Sequence, residues 1–239
     1  MKTQIAPDQL VVNTLRGIVM DASRAANSGH PGGAMSSADF ASVLYSEFLS
    51  FDPDRPSWFN RDRFVLSAGH ESALLYGLLH LAGFIDTDDL AGFRQLGSRT
   101  PGHPEHDVTP GVEATTGPLG QGFAMSVGMA VAESFLPAKL GRDVMDHYTY
   151  VLTSDGDMQE PVVFGAASLA GLWGLGKLIA YYDSNKVQLA GPVDRVDRAD
   201  YPKLFAALGW QVIEVDGHDR DQIRAAISKA QVQKKKPSL

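Results

Sequence analysis

The chain has 239 residues, room for one large α/β domain or two small ones. Hydrophobic residues make up 44% and charged residues 21%, an ordinary globular composition, and a formal net charge of −7 argues against a nucleic-acid surface. Cysteine is absent, which excludes disulfides, thiolate metal sites and a cysteine nucleophile.

The first ten residues lack the apolar core of a signal peptide, and no apolar run reads as long enough to span a bilayer, so a cytoplasmic protein without a membrane partner is expected. Val11, Val12, Leu15, Ile18, Val19 and Ala22 recur at helical spacing and predict an amphipathic helix over about 8–26. Turn residues Asn27 to Gly33 end it, and a second helix is expected over about 36–49. Arg63 to Ser67 reads as a short buried strand, followed by Ala68-Gly69-His70 and a helix through Leu81. Residues 97–118 are rich in Gly, Pro, Thr and charge, and read as one long ordered loop of the kind that usually carries function. A helix rich in Gly and Ala follows over about 120–136. Then come a strand ending near Thr153, a helix over 161–173 and a strand ending near Asp183. A loop rich in Asp and Arg (190–200) leads to a helix at 201–208, a strand at Gln211 to Val215 and a last helix at 219–232. Alternating strands and helices imply an α/β fold, a mainly parallel sheet with helices on both faces, in a single domain over 1–239. Lys234 to Leu239 reads either as a solvated basic tail or as the entrance to another strand; the second reading makes the chain a fragment or a subunit.

Asp155-Gly156 and Asn185 carry the most chemical information. They stand thirty residues apart, each just after an apolar strand, the span of one strand–helix–strand unit. In a parallel sheet both loops open at the carboxyl end of the strands, where ligands bind. A carboxylate and an amide oxygen there suit Mg²⁺ shared with a diphosphate. Helix capping competes for part of this segment: Asp157 with Glu160 resembles a capping box, and Pro161 suits a first helical turn. Thr115 to Gly122 opens a helix with three glycines, readable as a ligand cradle or as a tightly packed loop. Gly29-His30, Gly69-His70 and Gly102-His103 each join a periodic segment to a loop, which favours a histidine-lined site over a zinc site, because no HxxxH or HExxH spacing is present.

Ser28-Gly29-His30-Pro31-Gly32, Ser67-Ala68-Gly69-His70, Gly97 to Glu105 and Gly111 to Gly122 occur in the order and spacing of transketolases. With Asp155-Gly156 and Asn185, the chain from about residue 10 onward resembles the N-terminal, diphosphate-binding (PP) domain of that thiamine-diphosphate enzyme family. The resemblance implies that Asp155, Asn185 and the Val187 carbonyl hold Mg²⁺ (or Ca²⁺) against the cofactor diphosphate. It implies that Gly156 and His70 contact the diphosphate, and that Gly117 and Leu119 lie along the rings. It gives His30 and His103 to substrate hydroxyls and proton transfer, with His70 stabilising developing charge beside them, and places Glu160 at a domain interface coupling paired sites. The implied activity is transfer of a two-carbon ketol unit between sugar phosphates, by a dimer or higher oligomer in which a pyrimidine-binding domain or subunit completes the site. The alternatives are a related thiamine-diphosphate enzyme with another sugar substrate, and a non-catalytic Mg–diphosphate-binding module. Ser154 and Pro161 stand where the family usually has glycine; the first either crowds the backbone near phosphate or adds a donor, and the second stiffens a helix start.

Overall fold

The computed structural model describes residues 6–189 and 191–239; residues 1–5 of the polar N-terminus and Ala190, the first residue of the Asp/Arg-rich loop, lie outside the described residues. Helix α1 (Pro7–Ala25) starts on a proline, which has no N–H to leave unpaired in a first turn, and buries Val12, Leu15 and Val19. The single helix expected over 36–49 is instead three pieces: α2 (Pro31–Ser36), α3 (Ala38–Val43) and a π-helical turn over Leu44–Phe48. Pro31 at the first turn starts the segment early, and the chain opens at Ser37, whose ψ of −1° breaks the helix.

Strand β1 (Arg63–Leu66) leads through a short 3₁₀ turn to α4 (Ser72–Leu81) and α5 (Thr87–Ala91). After the long loop come α6 (Gln121–Leu140), β2 (Thr149–Ser154), the single turn α7 (Asp155–Met158), α8 (Pro161–Trp173) and β3 (Leu178–Asp183). A small hairpin, β4 (Val187–Gln188) with β5 (Gly191–Pro192), precedes α9 (Tyr201–Ala207) and α10 (Arg220–Val232).

The three long strands pair in the order β1-β2-β3, all parallel, with Leu66 opposite Leu152 and Ser154 opposite Asp183. Successive side chains of a strand point to opposite faces, and here both faces are buried. Phe64, Leu66, Tyr150, Leu152 and Ile179 pack against α1, α3, α4 and α10. Val65, Val151, Leu178 and Ala180 pack on the other side with Phe123 of α6, Val163 and Ala167 of α8, and Phe205 of α9. The expected α/β architecture with helices on both faces is therefore present, and the register sets the ends of β2 and β3 on one rim.

Two expectations need correction. Gln211 to Val215 does not form a regular strand. Its pairing is a bridge in which Ser238 lies parallel to both Gln211 and Ile179, with Gln211 N–H donating to the Pro237 carbonyl and Ile213 N–H to that of Leu239. The backbone pairing here runs between 211–213 and 237–239. Helix α6, in turn, is long and apolar enough by length and composition to cross a membrane, contrary to the expectation that no apolar run reaches that length. Its inner face instead covers the sheet through Phe123, Val127 and Ala130, and its buried Glu133 pairs with Lys177 at 2.6 Å.

Candidate active site

The rim at the carboxyl ends of the strands gathers four loops. Asp155 begins α7 directly after β2 and is buried. One carboxylate oxygen accepts a short hydrogen bond from the Tyr182 hydroxyl, and the other accepts from the Lys186 backbone N–H at 2.9 Å. That second bond brings the turn after β3 against Asp155. Lys186 takes a left-handed φ of 63°, and in the same turn Asn185 Oδ1 accepts from the Val187 N–H at 2.9 Å while its Nδ2 donates to Asp183 at 2.9 Å. Asp155, Asn185 and Val187 therefore share one rim, as the strand–helix–strand spacing requires.

Burial raises the Asp155 carboxyl above the ordinary carboxylate range, against the lowering pull of Tyr182 and the Lys186 N–H. Asp183 is also raised, chiefly by burial, with Asp155 adding to the shift. Among the described residues no cation forms an ion pair with either group, and their hydrogen-bond partners are neutral donors: the Tyr182 hydroxyl and Lys186 N–H for Asp155, and Asn185 and Ser36 for Asp183. Nor does any group of three or more His, Asp or Glu among the described residues suffice to hold a metal alone. A divalent oxygen-seeking cation that takes two or three ligands from the protein and the rest from a diphosphate fits this donor set; Mg²⁺ is bound in that manner and zinc in a closed cage is not.

The three histidines of the Gly-His pairs come together. His30 caps α2 and its ring meets that of His70 edge-on, with centroids 5.4 Å apart. His103 packs against Gly117: a Cβ on that glycine would lie 3.3 Å from the imidazole. Burial lowers all three pKa values; Arg94 adds to the effect at His30 and His103, and at His70 the other two histidines add to it while Asp157 opposes. The guanidinium of Arg94 donates to Ser28 Oγ at 2.9 Å and lies 3.4 Å from His30 Nδ1. All three rings are thus neutral at pH 7, each with one donor and one acceptor nitrogen.

Gly117 (φ +147°) and Gly120 (φ +76°) hold backbone conformations closed to most other residues, so the segment Thr115 to Gly122 is a shaped turn and not merely a flexible one. Leu119 touches the Asp155-Gly156 loop: a Cβ on Gly156 would sit 2.9 Å from Leu119 Cδ1. Glu160 precedes α8, and its Cβ lies 2.8 Å from the place a Cβ on Gly120 would take. The capping box expected from Asp157 with Glu160 is formed instead by Ser154 and Asp157, around α7. The Ser154 hydroxyl turns inward, where its Oγ donates to Asp157 at 2.8 Å. Pro161 does occupy the first turn of α8.

Arg94, Tyr182, Asp183 and Asp157 lie against the candidate residues, and the sequence does not mark them. Asp157 is visible there only as a cap, and Tyr182 and Asp183 only as the end of a strand. Nothing local marks Arg94, which reaches the histidines from a left-handed turn at φ 60°.

A buried carboxylate and an amide on adjacent loops of one rim, with a Gly-shaped turn against the first and a cluster of three histidines in the same site, fit an α/β domain that binds a diphosphate cofactor. The family model described as "Transketolase, thiamine diphosphate binding domain" matches residues 7–239, and the chain belongs to that family. It is 54% identical over 240 residues to the transketolase of Streptococcus pyogenes, covering 98% of this chain and 33% of that protein. Among solved structures it is similar to transketolase from Leishmania mexicana (TM-score 0.95, 46% identity, covering 98% of this chain and 36% of that one). It is also similar to a Pichia stipitis transketolase in complex with sedoheptulose-7-phosphate (TM-score 0.94, 44% identity, covering 97% and 35%). The chain thus spans about a third of the length of the relatives it matches.

Proposed function

We propose that this chain binds the Mg²⁺–diphosphate end of thiamine diphosphate in a transketolase, which moves a two-carbon ketol unit from a ketose phosphate to an aldose phosphate. The observation that carries the reading is the shared rim: Asp155 is buried with no cationic partner among the described residues, and Lys186 N–H draws the Asn185–Val187 turn against it. Membership of the thiamine-diphosphate-binding family and similarity to a transketolase holding a sugar phosphate support it. A pyrimidine-binding domain or subunit completes the site, and the working unit is a dimer or higher oligomer.

The cofactor, when bound, supplies an electron sink for breaking and making a carbon–carbon bond next to a carbonyl. Asp155, Asn185 and the Val187 carbonyl would hold the metal, with Ca²⁺ as a substitute. His70 and the Gly156 backbone would meet the diphosphate, while Gly117 and Leu119 would lie along the rings. His30 and His103 would accept and return protons at substrate hydroxyls. Their lowered pKa values keep an acceptor nitrogen available at neutral pH, and the fixed charge of Arg94 helps to hold them there. Glu160, set against the Gly120 turn, would face the partner domain and couple the paired sites.

The test is a titration of the assembled enzyme with thiamine diphosphate, with and without Mg²⁺, on wild type and Asp155→Ala. The variant is expected to keep its far-UV circular dichroism and to lose metal-dependent cofactor binding, by about a hundredfold or more in affinity. Wild-type affinity in Asp155→Ala would end the assignment.

A further inference from the structure

We propose that Asp157 is a positioning residue for the cofactor site: one buried carboxylate fastens together the three loops that bear the candidate cofactor contacts. The inference rests on the proposed function for what those loops bind.

Asp157 is fully buried. Its Oδ1 accepts from Ser67 Oγ at 2.7 Å and from the Gly120 N–H at 2.6 Å. Its Oδ2 accepts from the Ser154 N–H at 2.9 Å and from Ser154 Oγ at 2.8 Å. The donors belong to three different parts of the site. Ser67 stands three residues before His70, Gly120 directly follows Leu119, and Ser154 directly precedes Asp155-Gly156. Ser67 Oγ relays the tie one step further by accepting from the Phe123 N–H at 3.0 Å, which fixes the first turn of α6.

Two of the loops so joined approach backbone to backbone. A Cβ on Gly69 would lie 2.7 Å from the Gly117 nitrogen, and one on Gly122 would lie 2.6 Å from Ser67 Cα. With no slack between them, a shift of one loop moves the others. A carboxylate answered only by neutral donors is an expensive way to fill a core, and an apolar side chain would serve packing better. What the carboxylate adds is four directed acceptor contacts, and all four end on site loops.

Asparagine matches aspartate in shape but accepts at one oxygen only and turns two N–H groups toward donors. In the complete enzyme, Asp157→Asn is expected to raise the half-saturating concentration of thiamine diphosphate about tenfold or more, with kcat at saturating cofactor within about threefold of wild type. Ser154→Ala and Ser67→Ala, which each remove one hydroxyl donor, are expected to raise it about twofold to fivefold. Thermal unfolding is measured alongside. A lowered Tm with wild-type half-saturation in Asp157→Asn would make the residue purely structural and overturn the proposal. If Asp157→Asn does not fold, wild-type half-saturation in both serine variants overturns it, and raised values support it. Asp155→Ala is the control. If it loses metal-dependent binding while the Asp157 and serine variants do not, only this inference fails; if it binds as wild type does, the proposed function fails and this inference falls with it.

Discussion

Glu71 follows His70 directly and is buried to 1% exposure, with no well-formed hydrogen bond on either carboxyl oxygen among the described residues. Burial first, then Asp183 and Asp157, push its pKa well above the ordinary glutamate value, against a lowering pull from the Ser37 hydroxyl, so folding favours the protonated side chain. The sign of the pH effect follows. Above pH ~4.5 the unfolded chain releases this proton while the folded chain keeps it, so the contribution of Glu71 to stability falls as pH rises towards its folded pKa. Glu71→Gln keeps the shape and removes the ionisation. Urea unfolding between pH 5 and 8 is expected to show a shallower loss of stability in the variant, which gains on the wild type as the pH rises. Parallel pH profiles would refute the assignment. At this scale sequence reading works where a residue type repeats in one context: three Gly-His pairs announce one cluster, and the rings of His30 and His70 are in contact. It fails for Glu71, Asp157 and Arg94, because a carboxylate beside a histidine, a cap and a lone arginine look alike whether buried or solvated.

Helix α6 shows how one element meets two different surroundings. Its first turn is pressed onto the β1 loop through Gly122, while at Gly128 further along an added methyl group would meet nothing within 4 Å. The two glycines therefore differ in sign under the same substitution. Gly128→Ala is expected to stabilise by about 0.5–1 kcal/mol, because alanine favours the helix and meets no obstacle. Gly122→Ala would drive a methyl group into Ser67 Cα and is expected to cost about 1–3 kcal/mol. Chemical denaturation of both variants checks the pair, and equal shifts would remove steric contact as the cause. The existence of α6 was legible from composition, and so were α1, α4, α8 and α10 and the strands β1, β2 and β3. Strands buried on both faces read as short continuous apolar runs, and Tyr148 to Thr153 and Leu178 to Tyr182 are such runs. The split into α2 and α3 was not legible, since the break at Ser37 depends on how those turns seat against α1 and α4. The hairpin β4–β5 has only two residues a side, too few for an alternating pattern to mark it.

The whole molecule is closed by residues far apart in sequence. Ser238 N–H donates to the Leu178 carbonyl at 3.0 Å, Ala180 N–H donates to the Ser238 carbonyl at 2.8 Å, and Leu239 N–H donates to that of Gln211 at 2.8 Å. Three residues thus hold β3 to the 211–213 segment, and Gly174 and Gly176 let the approaching chain pass: a Cβ on Gly176 would lie 2.3 Å from the Lys234 carbonyl carbon. Residues 237–239 pair here with 211–213, and Gln211 to Val215, read as a full strand, forms only an isolated bridge. The same wedge bears on the site, because β3 ends at Asp183 and carries the Asn185–Val187 turn on its far end. Removing residues 237–239 is expected to strip hydrogen-exchange protection from the amides of Ala180, Gln211 and Ile213 first, since those amides donate to that segment. Protection in β1, joined to β3 only through β2, is expected to change least. A uniform loss across all three strands would mean that the sheet opens as one unit, and that the segment 237–239 acts on global stability instead of on the edge it visibly binds.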